Sequence, residues 1–414
     1  MGHQSAVKSV SQASVSHVMG TYGPRAFNAV RGEGAYLFDD AGRQYLDFTS
    51  GIAVTGLGHC HPALVEALSQ QATQLWHCSN LFGIPGQETL AARLCDAQFA
   101  DAVFFTNSGA EALECAIKIA RKYQHHCGAP ERFRVLTFEG SFHGRTLATI
   151  AAAGQEKLVT GFGPVMAGFD HVPLGDVEAV KAAITSETAA ILIEPVLGEG
   201  GIQVVEPAFL RALRTFCDTH GLLLMFDEVQ CGIGRTGTLF AHESAGVSPD
   251  VMALAKGLGG GFPLGACLAT SDACAGMGPG SHGSTFGGNP LGVAVANAVL
   301  DVIDTPAFLK DVEQKGTFMR QLLTALQLDC PTVIKEVRGK GLMLGLKLGT
   351  PNTAFVEQCR DAGLLLVPAG DNVVRLLPPL IVEEAQMRAA ADIIAKVAAQ
   401  ATGAQGLHGY KYDD

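Results

Sequence analysis

The chain lacks an excess of positive charge, a paired-cysteine pattern and a long unbroken apolar run, and each lack closes off a class of protein. Lys and Arg number 29 against 40 Asp and Glu, a formal charge of −11. So acidic a balance argues against nucleic acid or a membrane surface as a partner. The 11 cysteines are scattered and odd in number, without a Cys-x-x-Cys pair. A disulfide framework is not expected, and a reducing cytoplasm suits such thiols. No apolar segment approaches the roughly 20 residues that cross a bilayer. Residues 1–20 lack the positively charged region and apolar stretch of a secretory signal. Glycine, by contrast, is abundant: 50 of 414 residues, about 12 % against a usual ~7 %. Much of it sits in short runs at expected strand ends, where backbone must come close to a ligand.

The length suggests two or three domains. From about 70 to 305 short apolar runs alternate with helical patterns, which predicts a parallel sheet in a doubly wound α/β domain. Strands are expected at Val103–Phe105, Val135–Phe138, Ala190–Ile193, Leu222–Phe226 and Val251–Leu254. Helices are expected at Glu111–Tyr123 and Pro207–Thr219. Ala35–Phe48 reads as a hairpin around an Asp-Ala-Gly turn, preceded by an arm over 1 to about 30. After about 310 the pattern changes: Val333–Leu348 and Leu364–Leu377 read as strands and Glu383–Gln400 as a closing helix. The expected division is an arm and hairpin over 1–70 that joins a small α+β domain, a large domain over 71–305, the small domain proper over 306–406, and a tail over 407–414.

Two of the apolar runs end abruptly on a charge. Leu222–Phe226 stops at Asp227, and Val251–Ala255 stops at Lys256. A run without polar alternation reads as a strand buried on both faces, and its carboxyl end faces the crevice where open α/β sheets bind ligands. A lysine at a strand end is more often a surface residue. Lys256, however, is followed by Gly257 and Gly259–Gly261, and such tight, poorly solvated surroundings lower an amine pKa and free it to attack an aldehyde. Asp227 could simply cap the next turn. As a buried carboxylate it needs a cationic partner or strong hydrogen bonds, and a protonated pyridine nitrogen is such a partner. An acid and an amine delivered together therefore point to pyridoxal phosphate, with Gln230 able to donate to the ring hydroxyl oxygen.

Other segments are weaker alone. Thr106–Glu111 links a strand to a helix, where backbone N–H groups and Ser108 could hold a phosphate and Gly109 lets the chain approach; ordinary capping has the same composition. In Ser141–Thr146, Phe142 could stack on a flat ring and Arg145 could grip a carboxylate, or both could be plain core and surface. Ser284 and Thr285 lie in a small-residue loop before a helix. Arg375, inside the apolar run Val373–Leu377, calls for an anion, whereas Glu199 reads as a turn acid. The His59-Cys60-His61 and His125-His126-Cys127 groups have no matching second pair, so structural histidines are expected and no metal.

Taken together these segments resemble the class III aminotransferases, of pyridoxal phosphate fold type I, and among them the bacterial acetylornithine aminotransferases. The likeness runs along nearly the whole chain, through Gly51–Pro62, Ser79–Phe82, Asn107–Ala112, Phe142–Arg145, Gly198–Gly201, Phe226–Gly237 and His282–Pro290. It implies a large domain with a mixed, mostly parallel sheet and a smaller α+β domain. It implies a cytoplasmic homodimer with a shared active site. Lys256 would form the Schiff base, Asp227 would pair with the pyridine nitrogen, Gln230 would meet the ring oxygen and Phe142 would stack on the ring. Glu228 and Val229 would belong to the same cofactor-binding run. Ser108, Gly109 and Ala110 would hold the phosphate, with Thr285 arriving from the other subunit. Arg145 and Ser284 would contact acetylornithine. Arg375 would receive the α-carboxylate of glutamate or 2-oxoglutarate, and Glu199 would pair with Arg375 when the other substrate is bound. The chain departs from the family pattern at Ala110, where many relatives have Thr, at Leu197, where Gln is frequent, and at Gly83, where bulkier residues are usual. The implied reaction is amino transfer from N2-acetylornithine to 2-oxoglutarate in arginine biosynthesis. Succinylornithine or N-succinyl-diaminopimelate transfer are the rivals, and an aminomutase is the alternative of another class.

Overall fold

A computed structural model describes residues 17–97 and 99–402. Its centre is a seven-stranded sheet, in spatial order Ala102–Thr106, Gly265–Ala269, Val251–Leu254, Leu223–Asp227, Thr188–Ile193, Arg134–Phe138 and Phe169–Val172. All of these pairings are parallel except the two made by Gly265–Ala269.

The apolar runs are unbroken because both faces of the sheet are covered, and successive residues point to opposite faces. Leu223, Met225, Ala190, Leu192, Val251 and Ala253 pack with Ala112, Leu113, Ala116 and Ala120 of the Gly109–His126 helix. Leu224, Phe226, Ile191, Ile193, Met252 and Leu254 belong to the core on the other side, with Phe209, Leu210 and Leu213 of the Pro207–His220 helix. Each fully buried Leu, Ile, Met or Phe side chain among these contributes about 1.5–3 kcal/mol.

The strands and helices expected between 103 and 254 are all present, within a few residues of their expected ends. Two strands of this sheet escaped the sequence. Phe169–Val172 is a short edge strand whose Asp170 and His171 interrupt the apolar pattern. Gly265–Ala269 is apolar enough, but composition does not disclose that it runs against its neighbours.

The hairpin forms as Tyr36–Asp39 and Gln44–Asp47, and Ala29–Glu33, placed at the end of the expected arm, adds a third strand. Leu364–Leu365 completes this sheet by pairing in parallel with Leu46–Asp47. The expected single strand over 333–348 is instead a hairpin, Ile334–Lys340 and Met343–Leu348. Gly341, at φ +55°, makes the turn. Likewise 364–377 divides into Leu364–Leu365, Val367–Ala369 and Val373–Leu376, with a turn at Gly370–Asn372. The closing helix spans Glu384–Thr402. Among the described residues no single helix is long and apolar enough to cross a membrane. The expected tail, 407–414, lies outside the described residues.

Three backbones meet at Gly341. A Cβ on Gly316, inside the Pro306–Asp329 helix, would fall 2.5 Å from the Gly341 carbonyl oxygen, and a Cβ on Gly341 would fall 2.5 Å from the Thr236 carbonyl carbon. Alanine at 316 would gain about 1 kcal/mol of helix propensity. The contact outweighs that gain, so Gly316→Ala should lower stability by a net ~1–3 kcal/mol. A denaturant-unfolding midpoint at or above the wild-type value would contradict this.

Candidate active site

Loops from five of the central strands meet at one edge of the sheet and enclose a cavity of about 450 Å³. Asp227 ends one strand and Lys256 follows the next. Glu194 follows Thr188–Ile193, Phe142–Arg145 follow Arg134–Phe138, and Asn107–Ala110 follow Ala102–Thr106. This is the crevice side of an open α/β sheet.

Lys256 opens a short 3-10 turn at φ +44°, a left-handed backbone that turns the chain directly after the strand. Burial lowers its amine pKa, against the opposing pull of Asp227 and Glu199. Asp227 is buried. Its Oδ2 accepts from Nδ1 of His143 at 2.8 Å and its Oδ1 accepts from the Val229 N–H at 3.0 Å. Burial works against a charged His143, but the bond to Asp227 outweighs it and raises the imidazole pKa. His143 Nε2 is buried with no partner among the described residues.

The phosphate-loop candidates open the Gly109–His126 helix. Ser108 is the N-cap, its Oγ accepting from the Glu111 N–H at 3.3 Å. The N–H groups of the first turn have no partner within the helix. A Cβ on Gly109 would meet Val229 at 2.7 Å, so the close approach requires glycine. Glu111 reaches back to accept from the Asn107 N–H at 2.6 Å and from its amide at 2.9 Å, which fixes the loop.

Phe142 and Arg145 both line the cavity, and the guanidinium carbon lies 5.6 Å from the ring centroid. Arg375 is 1 % exposed. Its Nη1 donates to Glu199 Oε1 at 2.5 Å and to Gln230 Oε1 at 3.1 Å. The Gln230 oxygen is thereby occupied, and its amide nitrogen is the donor end.

Not every expected residue joins this cavity: Glu199 and Arg375 do not line it and meet it through Gln230. Glu228 does not line it: its carboxylate turns into the core and accepts from the backbones of Ala241 and His242 and from His242 Nδ1. The expected cofactor contact at Glu228 is therefore not made by its side chain, which is committed to holding the next loop. Ser284 and Thr285 line a neighbouring cavity of about 510 Å³, with Lys118 and His282. Ser284 Oγ accepts there from the Asn107 amide at 3.3 Å and from the Gly287 N–H at 2.9 Å. His59, discounted as a metal ligand, bonds Asp47 at 2.8 Å.

Two residues of the site were missed. His143 lies within the Ser141–Thr146 segment, and its approach to Asp227 across 84 positions has no local signal. Glu194 did have one: like Asp227 and Lys256 it is a charge directly beyond an apolar strand. It is buried, and its two oxygens accept from the Phe142 N–H at 2.9 Å and the Gly198 N–H at 3.0 Å.

A family model for class-III aminotransferases matches residues 20–398. The chain belongs to the class III aminotransferases. It is 61 % identical over 384 residues to an acetylornithine aminotransferase of Mesorhizobium japonicum, covering 93 % of this chain and 94 % of that one. Over 375 residues it is 59 % identical to the acetylornithine aminotransferase of Agrobacterium fabrum, covering 91 % and 94 %. Among solved structures, the ornithine aminotransferase of Toxoplasma gondii superposes with a TM-score of 0.90 at 32 % identity, covering 94 % of this chain and 93 % of that one. The N-acetylornithine aminotransferase of Stenotrophomonas maltophilia does so at 0.81 and 37 %, covering 92 % and 97 %.

Class III aminotransferases are enzymes that use pyridoxal phosphate. The donors present here fit that group. A buried carboxylate, each oxygen accepting one hydrogen bond, can still take a cation, a helix N-terminus can take a phosphate, an amine has its pKa lowered by burial, and a glycine leaves room where a Cβ would collide with Val229.

Burial, with Asp227 adding to it, pushes the Glu194 carboxyl from an ordinary 4.5 up to about 7. Without cofactor, the folded chain then keeps this proton at pH values where the unfolded chain has lost it. The stabilisation is full below pH 4.5 and is lost as the pH rises through about 7. Glu194→Gln cannot ionise, so the stability gap between wild type and variant should shift against wild type across that window. Denaturant unfolding of the cofactor-free proteins reads it, and a pH-independent gap would contradict the assignment.

Proposed function

We propose that this enzyme moves the terminal amine of N2-acetylornithine to 2-oxoglutarate, yielding N-acetylglutamate 5-semialdehyde and glutamate. The observation that carries this reading is the Glu199–Arg375 pair, which meets the Lys256 cavity through Gln230, with Arg375 1 % exposed and its Nη1 2.5 Å from Glu199 Oε1. One site must take a donor whose carboxylate is far from the reacting carbon and an acceptor whose carboxylate is next to it. An arginine that an acid can cover or release meets both needs. The names of the 61 % and 59 % identical relatives support the same substrate.

When bound, pyridoxal phosphate supplies an aldehyde that captures the donor amine and a ring that takes up the electrons of the carbanion. In this reading Ser108, Gly109 and Ala110 hold the phosphate and Phe142 covers one face of the ring. Asp227, oriented by His143, holds the proton of the ring nitrogen, and the amide of Gln230 donates to the ring oxygen. Lys256 Nζ removes the proton from the carbon that bears the donor amine. In the second half it delivers a proton to the α-carbon of the nascent glutamate. Arg145 and Ser284 receive the acetylornithine carboxylate and acyl end. Glu199 neutralises Arg375 during the first half and swings away in the second, when Arg375 takes the α-carboxylate in a two-pronged grip. A cytoplasmic homodimer belongs to the same reading, with the exposed Thr285 reaching the phosphate site of the second subunit.

The test is a panel of ω-amino donors with 2-oxoglutarate, compared by kcat/KM. Acetylornithine should lead, and a lead by succinylornithine, N-succinyl-diaminopimelate or ornithine would overturn the assignment. Turnover without an external keto acid would point to an aminomutase instead. Glu199→Ala should change the ratio of the two half-reaction rates by about 10-fold or more, the scale of losing one charge-assisted bond. Cofactor affinity should move less than ~2-fold. Equal loss in both halves would remove Glu199 from this role.

A further inference from the structure

The Glu199–Arg375 pair does not stand alone. The strands Val367–Ala369 and Val373–Leu376 are joined by the turn Gly370–Asn372. Arg375 lies in the second of these, and its Nη2 reaches the carbonyl of Pro368 in the first at 3.4 Å. The turn also touches the loop that carries Glu199. The Gly370 N–H donates to the Glu199 carbonyl at 2.9 Å. The loops meet backbone to backbone: a Cβ on Gly201 would lie 2.8 Å from the Gly370 oxygen, and one on Gly370 would lie 2.9 Å from the Glu199 oxygen.

An ionic clasp closes over this contact from outside. Asp371 Oδ2 lies 3.0 Å from Arg338 Nη2, and the carboxylate accepts from Lys347 Nζ at 2.8 and 2.9 Å. Arg338 Nη1 donates in turn to the Gly201 carbonyl at 3.1 Å, two residues beyond Glu199. Its Nη2 is also 2.6 Å from Glu336 Oε2. Arg338 thus holds the Glu199 loop with one nitrogen and the turn with the other. Lys347 pulls the Asp371 carboxyl below the usual carboxylate range, so the clasp is charged at neutral pH.

We propose that Asp371, through Arg338, is a positioning residue that sets how readily Glu199 covers Arg375, and so the preference of the site for donor over acceptor. This rests on the gate reading of Glu199. With the clasp intact the loop is held where the acid meets the guanidinium. With the clasp cut, Arg375 is uncovered more of the time. The acetylornithine half-reaction then suffers, because an exposed guanidinium draws the donor carboxylate to the wrong end of the site, while 2-oxoglutarate, which needs Arg375 bare, loses little.

Asp371→Asn tests this, since Asp371 sits at φ +54°, a left-handed conformation that asparagine also accepts. The two half-reactions of the holoenzyme are followed separately in single turnovers, acetylornithine with the pyridoxal form and 2-oxoglutarate with the pyridoxamine form. The variant should lower kcat/KM for acetylornithine by about 3- to 10-fold and that for 2-oxoglutarate by less than ~2-fold, the size of coupling that a residue remote from the ligand usually carries. Arg338→Met, which removes the same charge pairing from the other side, should shift the ratio in the same direction. In a Glu199→Ala background Asp371→Asn should have no further effect on the ratio. Equal losses in both halves, or an undiminished effect without Glu199, would overturn the proposal. If Glu199→Ala moves the ratio and Asp371→Asn does not, the clasp alone fails. If Glu199→Ala leaves it unchanged, the gate reading fails and the clasp with it.

Discussion

A sheet covered on both faces leaves its buried central strands little place for charge except at their ends. Asp227, Lys256 and Glu194 all occupy that position, each following an unbroken buried strand. Packing alone thus collects an acid, an amine and a second acid around one cavity, before any ligand is considered. The burial that drives the sheet to form also tunes these groups. It lowers the Lys256 amine and raises the Glu194 carboxyl. Only Asp227 keeps a fixed partner for its charge, the His143 imidazole at 2.8 Å.

Much of this was legible in the sequence for the same reason. An apolar run that stops at a charge is a local signal, so it disclosed both the strands and the residues at their ends. Arg375 was legible as a guanidinium in an apolar strand that had to find an anion. What remained hidden was non-local. The partnership of His143 with Asp227 and the turning of Glu228 toward His242 depend on which loops come together, and no spacing encodes that. The reversed direction of Gly265–Ala269 was hidden likewise, because a strand buried on both faces has the same composition whichever way it runs. The hairpin at Gly341 went unread because a lone glycine inside an apolar stretch gives little warning of a full reversal. Its necessity lies in the two backbones packed against it.

Arg375 joins the chemistry to the rest of the molecule. It belongs to the C-terminal sheet, and Lys256 and Asp227 belong to the central one. A guanidinium so buried is costly unless its donors are met. Nη1 is met by Glu199, from the turn between Val196–Leu197 and Gln203–Val204, and by Gln230, from the loop after Asp227, and Nη2 by Pro368 of its own sheet, while Nε has no partner among the described residues. Relative movement of the two sheets would therefore be registered at Arg375 rather than at Lys256.

The pairing of Leu46 with Leu364 has a consequence for folding. Ala29–Glu33, Tyr36–Asp39 and Gln44–Asp47 are neighbours in sequence, whereas Leu364–Leu365 reaches them from a distant segment. Until that long-range pairing forms, the Gln44–Asp47 side of the sheet leaves amide groups unpaired, and such an edge is where another chain can add.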